Sequence, residues 1–188
     1  GFADDPGANA QFAYPAGVAV APNGTVYVTD DDNNRIRAVN PATGAVTTLA
    51  GSGTAGFADG PSNTAQFDNP FGVTVAPNGT IYVGDSSNHR IRAINPTTGA
   101  VTTFAGSGTA GFADGPGNTA QFNATAGVAV APGGTGLVTT APEPTRAPAP
   151  TVKPPSTQAL APTITPGSSV GCRLAPLTSE VPPSVTPW

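Results

Sequence analysis

The sequence is poor in the residue types from which many catalytic and metal sites are built. Its 188 residues include one cysteine, one histidine and no methionine, and only 10% of them are charged. Cys172 has no partner for an intrachain disulfide, and neither it nor His89 belongs to a cluster that could hold zinc. Because His89 is the sole imidazole, a Ser-His-Asp triad is not credible either.

Cationic residues and long apolar runs are also scarce, which argues against nucleic acid as a binding partner and against a membrane-spanning segment. Seven Lys and Arg residues stand against eleven Asp and Glu residues, for a net charge of −4. Nucleic-acid binding needs clustered cations, so no nucleic-acid partner is expected. No run of 18 apolar residues is present, so no membrane span is predicted in this chain. Because the sequence begins at Gly1 and contains no methionine, we expect a fragment, a processed form or an imperfect gene model.

The sequence is rich in glycine, with 24 residues, and in internal repetition. Residues 1–55 align without gaps to residues 56–110, and about 39 of the 55 positions are identical. A third copy, at 111–140, is truncated. Self-similarity at a fixed period indicates a repeat architecture in which each copy is one supersecondary unit.

Each complete copy contains four short strand signals separated by turn signals. In the first copy they cover residues 18–21, 25–30, 35–39 and 45–50. Four antiparallel strands per repeat are typical of a β-propeller blade. We therefore expect an all-β partial propeller, with four-stranded sheets at 17–50 and 72–105 and at most two strands at 127–138. A β-sandwich fits less well, because sandwiches do not repeat their sequence every 55 residues.

The remaining segments are a connector between blades, at residues 51–71, and a proline-rich tail, at residues 141–188. In the connector, residues 63–67 are expected to form one helical turn, and Phe57 and Phe67 to fill the gap between neighbouring blades. Twelve prolines fall within residues 141–188. Since proline removes backbone donors, we expect this tail to be disordered or partly polyproline II, to act as a linker or stalk, and to be cut first by proteases.

The repeats resemble the NHL family. The resemblance lies in residues 82–92, Tyr-Val-Gly-Asp-Ser-Ser-Asn-His-Arg-Ile-Arg, and in residues 30–37 of the first copy, where Asn34 stands in place of the histidine. The Ala-Asp-Gly, Ala-Gln-Phe and Pro-x-Gly-Val elements are similar to the family as well. The resemblance covers about residues 1–135. It implies a β-propeller, most often six-bladed, that binds proteins or ligands, with His89 in a structural, hydrogen-bonding position.

The polar turn after the second strand is the main candidate for a metal site. Residues 30–34, Asp-Asp-Asp-Asn-Asn, offer closely spaced carboxylates that would suit calcium. The turn lacks the later glycine and the distal glutamate of an EF-hand loop, and the second copy replaces two of the aspartates with serine. The preferred interpretation is a polar turn in which Asp30 or Asp85 pairs with arginine and caps backbone amides.

Two further motifs have architectural explanations. Three triplets, which begin at Asn23, Asn78 and Asn123, match the N-glycosylation sequon, although a hairpin turn already explains the first two. Gly-Ser-Gly occurs at 51–53 and again at 106–108, at the same point of each copy. This recurrence indicates a structural feature of the blade and not a phosphate-binding loop.

Three functional classes stay open. The preferred one is an extracellular or envelope-facing propeller scaffold that binds an unknown protein or small ligand, with no catalytic, cofactor-binding or metal-ligating residues and no cofactor. The second is a piece of a lactonase- or lyase-like propeller enzyme. Near-identical blades argue against it, because a catalytic site needs different residues from different blades. The third is a truncated, non-functional product. Apolar blade faces without a neighbour also predict self-association.

Overall fold

The computed structural model describes residues 1–131, 137–140 and 151–152, and in these residues the protein is built from strands without an α-helix. The strands of the first repeat are β1 (Asp5–Pro6), β2 (Pro15–Val20), β3 (Val26–Asp30), β4 (Arg35–Val39) and β5 (Ala45–Ala50). Those of the second repeat are β6 (Pro70–Val75), β7 (Ile81–Asp85), β8 (Arg90–Ile94) and β9 (Val101–Ala105). The third repeat has β10 (Gly127–Val130) and β11 (Leu137–Thr140), and β12 (Thr151–Val152) follows.

The strands of each repeat form one antiparallel sheet, which is a blade. Blade one has the order β1-β5-β4-β3-β2, blade two has β6-β7-β8-β9, and the third sheet has β10-β11-β12. The registers of the two blades are the same after a shift of 55 residues: Val26 pairs with Val39, and Ile81 with Ile94. The all-β partial propeller predicted from the sequence is confirmed, including two strands close to 127–138.

Blade one departs from the predicted four strands because its connector folds back over the outer edge of its own sheet. Asp5 and Pro6 pair with Val46 and Ala45, which adds β1 as a fifth strand. In blade two the same contact is a single bridge between Gly60 and Val101. Coverage of this kind protects an outer strand from pairing with another chain.

The inner strands of successive repeats lie side by side. Strand β2 packs beside β6, and β6 packs beside β10. The approach is close enough that a Cβ atom on Gly17 would lie 2.4 Å from the carbonyl oxygen of Phe71, and one on Gly72 would lie 2.4 Å from that of Ala126. Glycine is therefore required at both positions.

Two apolar clusters hold the repeats together. The first joins Tyr27, Ile36 and Ala50 of blade one to residues of the second repeat, namely Ala65, Phe67, Val73, Ile81, Val83, Ile94 and Val101. The second joins blade two to the third repeat and contains Ile91, Ala105, Ala120 and Phe122, with Tyr82, Phe104, Val128 and Val130 packed against it. Each cluster is shared between two repeats, as in other solenoid-like arrays.

The connector differs from its predicted form in two respects. Its turn lies earlier than residues 63–67, because Thr64 and Ala65 both donate their N–H groups to the carbonyl of Pro61. Phe67 is fully buried between the blades as predicted. The prediction for Phe57 is wrong: it is 43% exposed, and its ring lies against the Arg90 guanidinium, 3.7 Å from ring centroid to Cζ.

The predicted tail at 141–188 lies outside the described residues except at Thr151 and Val152. These two residues pair with Val138 and Leu137. Two residues of the tail that was predicted to be disordered therefore form a short strand. Within the described part of the chain, no helix is long and apolar enough to cross a bilayer.

Candidate functional site

A buried ion pair lies at the centre of each blade. The carboxylate of Asp30 at the end of β3 accepts a 2.7 Å hydrogen bond from Arg37 Nη1 on β4, and both side chains are fully buried. Blade two repeats the pair with Asp85 and Arg92 at 2.6 Å. The sequence prediction that Asp30 and Asp85 pair with arginine is confirmed.

The same carboxylates also cap backbone amides, as predicted. Asp30 Oδ1 accepts from the N–H of Ala13, and Asp85 Oδ1 from the N–H of Asp68. Burial raises the pKa of Asp85, while the Asp68 amide, the charge of Arg92 and the Asn88 side chain act against that rise. Because these groups compensate one another inside the blade, they serve the structure and are not available to a ligand.

The buried arginines tie the connector to the blade. Arg92 Nη2 donates to the carbonyl of Ala58 and to Asp59, whose carboxylate also accepts the N–H of Thr103 on the outer strand. Arg37 makes the equivalent contacts in blade one. The Gly-Ser-Gly motifs belong to the same framework, since Arg90 donates to the carbonyl of Ser107. This arrangement agrees with an architectural role for the motif.

His89 links blade two to the third repeat. It lies in the left-handed region with φ 53°, and its Nδ1 accepts the N–H of Ala124 at 3.1 Å. Asn34, with φ 52°, does the same one repeat earlier, where its Oδ1 accepts the N–H of Asn69 at 3.1 Å. Asparagine and histidine are therefore interchangeable here because both offer an acceptor in a left-handed turn. The predicted structural role of His89 is confirmed, although it joins repeats and not strands of one sheet.

The acidic turn of blade one lies at the boundary with blade two. Asp31 is buried, and its Oδ1 accepts from Asn69 Nδ2 at 3.0 Å, whereas Asp32 is exposed. Burial raises the pKa of Asp31; the Asn69 hydrogen bond opposes this, and the charges of Asp32 and Asp68 add to it. In the part of the chain that the structure describes, no three Asp, Glu, His or Cys side chains are grouped as metal ligands.

The sequon residues lie on the surface. Asn23 and Asn78 are exposed at the tips of the β2–β3 and β6–β7 hairpins, and each side chain accepts the N–H of the threonine two residues later. Asn123 is exposed at the entry to the third repeat.

One surface gathers residues that differ between the repeats, and sequence reasoning missed it. We define the variable surface as residues 13–16, 31–34, 68–71, 86–89 and 123–126. Its segments touch within each repeat: the N–H of Asp32 donates to the carbonyl of Ala13, and that of Ser87 to the carbonyl of Asp68. Of the 16 positions at which residues 1–55 and 56–110 differ, six lie here.

Apart from Pro15, the exposed side chains of the variable surface are polar or aromatic. Tyr14 is 72% exposed and Phe71 is 43% exposed. Asp32, Asn69 and Ser87 are exposed as well. A position-by-position comparison of the copies could have located this surface from sequence, but only the fold shows that the two differing segments of each repeat are in contact.

Comparison with known proteins agrees with this architecture. A family model described as NHL repeat matches residues 12–38 and 67–94. Each match holds the inner strand and the second strand of a blade, together with most of the third strand in blade one and all of it in blade two. Among curated proteins, the chain is 40% identical over 100 residues to the protein SUPPRESSOR OF QUENCHING 1, chloroplastic, of Arabidopsis thaliana, a match that covers 52% of this chain and 10% of that protein.

The chain is also 37% identical over 107 residues to NHL repeat-containing protein 2 of Bos taurus, with 55% of this chain and 15% of that protein covered. It thus spans a small part of the length of these relatives. A solved structure of a Bacteroides thetaiotaomicron protein of unknown function has a TM-score of 0.57 and 26% identity, over 62% of this chain and 30% of that one.

An auxiliary nutrient binding protein from the same organism has a TM-score of 0.57 and 24% identity, over 65% of this chain and 33% of that one, and shows the shared fold alone. Both solved neighbours are propeller-like. The NHL family model matches both complete blades. The matched segments include the buried Asp–Arg pair of each blade and the residue, Asn34 or His89, that bonds to the next repeat. Each of the two complete repeats is therefore a propeller blade that contains an NHL repeat, at residues 12–38 and 67–94.

Proposed function

We propose that this chain is an NHL-type propeller scaffold that binds a protein or ligand through the variable surface and does not act as an enzyme. The observation that carries the proposal is the distribution of differences between the repeats. The ion pairs and most strand positions are the same in both blades, whereas the entry to the inner strand, the turn after β3 or β7 and the outer segment at 5–9 or 60–64 differ; of these, the first two are in contact with each other. A recognition surface needs different side chains from different blades, and this surface supplies them.

The chemistry of the variable surface favours a partner that carries positive charge. Asp31, Asp32 and Asp68 lie near one another, and the five segments of the surface contain no Lys or Arg. Tyr14 and Phe71 add exposed aromatic rings, which are enriched in binding interfaces and attract cations. A basic peptide segment would meet both features, because electrostatic complementarity selects partners of the opposite sign.

The side chains best suited to acid–base chemistry have structural partners. His89 Nδ1 is engaged by the Ala124 amide, and Asp30 and Asp85 are buried against arginine. The same arrangement recurs in both blades, which supports a framework role over a catalytic one. No feature of the described residues favours the lactonase- or lyase-like alternative.

Selection from a displayed random-peptide library against the immobilised chain would test the proposal. We expect the selected peptides to be enriched in Lys and Arg, and their binding to weaken by at least about tenfold in the Tyr14→Ala, Asp32→Ala double variant. The matched control is Asn23→Ala with Asn78→Ala, which alters exposed hairpin tips outside the variable surface and leaves affinity unchanged. Peptides that bind equally well to both double variants would refute the proposed site.

A further inference from the structure

The two junctions between successive repeats differ at one pair of buried positions. At the first junction, the fully buried Thr29 of β3 lies beside the start of β6, where Pro70 is also buried. At the second junction, the equivalent residues 55 positions later are Gly84 and Thr125, and both are buried. We call Thr29–Pro70 and Gly84–Thr125 the junction pairs.

The first junction pair has its hydroxyl group on the preceding blade. Thr29 Oγ1 donates a 2.7 Å hydrogen bond to the carbonyl of Phe71 in β6, and it accepts the N–H of Gly17 at 2.7 Å. Pro70 has no polar atom in its side chain, so the following repeat contributes no side-chain hydrogen bond at this position. The bond across this boundary therefore runs forward, from a blade to its successor.

The second junction pair has its hydroxyl group on the following repeat. Thr125 Oγ1 donates a 2.9 Å hydrogen bond back to the carbonyl of Arg90 in blade two. This bond holds residue 125 against Gly84. A Cβ atom on Gly84 would lie 2.7 Å from the carbonyl oxygen of Thr125 and 3.5 Å from its Cβ atom. Position 84 therefore has no room for a side chain while threonine follows it.

The side chains of a junction pair must match each other. Threonine at both positions would overlap, because a side chain at 84 meets the carbonyl of residue 125. Glycine followed by proline would fit but would provide no hydroxyl bond across the boundary. The backbone before the two successor residues is alike, with φ 52° at Asn69 and 53° at Ala124, so proline and threonine are both compatible with it.

We propose that the residue at position 29 or 84 of a blade selects the repeat that packs against it as its successor. Threonine, as at Thr29, fits a repeat with proline at the position of Pro70. Glycine, as at Gly84, fits a repeat with threonine at the position of Thr125. The two complete repeats therefore cannot exchange places without loss, although most of their positions are identical.

A double-mutant cycle in the full chain tests the pairing, with native-state hydrogen exchange of the β10 amides as the readout. Gly84→Thr alone should speed exchange by at least about tenfold, because the new side chain pushes the third repeat away from blade two. Thr125→Pro alone should speed it by about threefold, through loss of the bond to the Arg90 carbonyl. Both changes together reproduce the Thr29–Pro70 pair, so exchange should be at least about threefold slower than in Gly84→Thr.

The matched control combines changes at different junctions. Thr29→Gly with Thr125→Pro alters the same positions of two separate pairs, so the two effects should be additive. If Gly84→Thr prevents folding, the reverse cycle at the first junction decides: Thr29→Gly should speed exchange of β6 amides in the parent chain but slow it in a Pro70→Thr background. Additive effects within a single junction, or coupling in the control as large as that within a junction, would overturn the proposal.

Discussion

At the scale of single residues, the guanidinium group of each buried arginine binds two carboxylates that differ in their exposure to water. Arg92 contacts Asp85, which is fully buried, and Asp59, whose side chain is 42% exposed. The two carboxylates are almost equally distant from the guanidinium, at 2.6 Å in both cases. Their contributions to stability should nevertheless differ, because water screens only the outer pair.

Asp85→Ala should therefore be far more damaging than Asp59→Ala. Loss of Asp85 leaves the buried Arg92 without its inner counter-charge and should lower the free energy of unfolding by about 3–5 kcal/mol. Loss of Asp59 should cost about 1–2 kcal/mol, chiefly through the hydrogen bonds to Thr103. Urea unfolding of the two variants measures the difference, and equal losses would contradict this division of roles.

The equivalence of Asn34 and His89 leads to a substitution test between blades. His89→Asn keeps an acceptor and a residue type that tolerates positive φ, so stability should change by less than about 0.5 kcal/mol. His89→Ala removes the acceptor for the Ala124 amide and should cost about 1–2 kcal/mol. Thermal unfolding followed by circular dichroism separates the two. If His89→Asn were as harmful as His89→Ala, a property of the imidazole other than its acceptor would be required.

Asp31 gives a prediction for pH dependence. Burial raises its pKa in the folded state, so the folded chain binds this proton more tightly than the unfolded chain does. The resulting stabilisation is fully present below the unfolded pKa of about 3.9 and is lost as pH rises through the folded pKa. Asp31→Asn keeps an acceptor for Asn69 and removes the ionisation. It should therefore raise the melting temperature at pH 7 relative to the parent chain and have little effect at pH 3.

The control for this experiment is Asp32→Asn, at the exposed neighbouring position. At pH 7 it should stabilise less than Asp31→Asn does, because it removes only the Asp32 charge that acts on Asp31 and leaves the buried carboxylate in place, and at pH 3 its effect should be small. A stabilisation by Asp31→Asn that is the same at pH 3 and pH 7 would show that ionisation of Asp31 is not its cause.

At the scale of elements, the inner strands are held at a distance that only glycine allows. Gly17 lies against the Phe71 carbonyl, which also accepts a 2.7 Å hydrogen bond from Thr29 Oγ1 on β3. Thr29 Oγ1 in turn accepts the N–H of Gly17. Strands β2, β3 and β6 are therefore joined at one point across the boundary between blades.

Gly17→Ala should separate β2 from β6 locally. A methyl group would overlap the Phe71 carbonyl, and we expect a cost of about 1–3 kcal/mol from the forced shift of backbone. Val18→Ala at the adjacent exposed position is the control and should change stability by less than about 0.5 kcal/mol. Chemical denaturation of both variants is sufficient. A neutral Gly17→Ala would mean that the strands can move apart without loss.

Strand positions were predictable from sequence because each strand and its turn signal are local, as at Asn23-Gly24 between β2 and β3. Two contacts could not be predicted from sequence: the pairing of Asp5 with Val46 and the stacking of Phe57 on Arg90. Both contacts join residues more than 30 positions apart, and neither leaves a periodic pattern. The ion pairs were partly predictable: the repeats showed that Asp30 recurs as Asp85, but not that Asp59 would bind the same arginine.

At the scale of the whole molecule, the complete blades have no separate cores. Tyr27 and Ile36 of blade one lie in the same cluster as Phe67, Ile81 and other residues of the second repeat. Thr29 and Asn34 also bond to the second repeat. Stability in such arrays depends on the interfaces between neighbours as much as on each repeat.

Blades one and two should therefore unfold as one cooperative unit. Ile81→Ala, in the shared cluster, should lower the free energy of opening by about 2–5 kcal/mol for amides of both β3 and β7. Native-state hydrogen exchange resolves the two strands separately. Ile91→Ala, in the cluster shared with the third repeat, is the comparison and should affect β3 less than β7. Loss of protection confined to β7 in the Ile81→Ala variant would show that the blades open independently.

The alignment of the first two repeats without gaps has a consequence for how such a gene can change. Each repeat bonds to its successor through equivalent positions, 34 to 69 and 89 to 124, so both junctions share this contact and its spacing of 35 residues. An unequal crossing-over that duplicates or removes 55 codons therefore leaves every remaining junction in register. The number of blades can then vary in whole steps without a new loop, while point mutations diversify the surface of each copy separately.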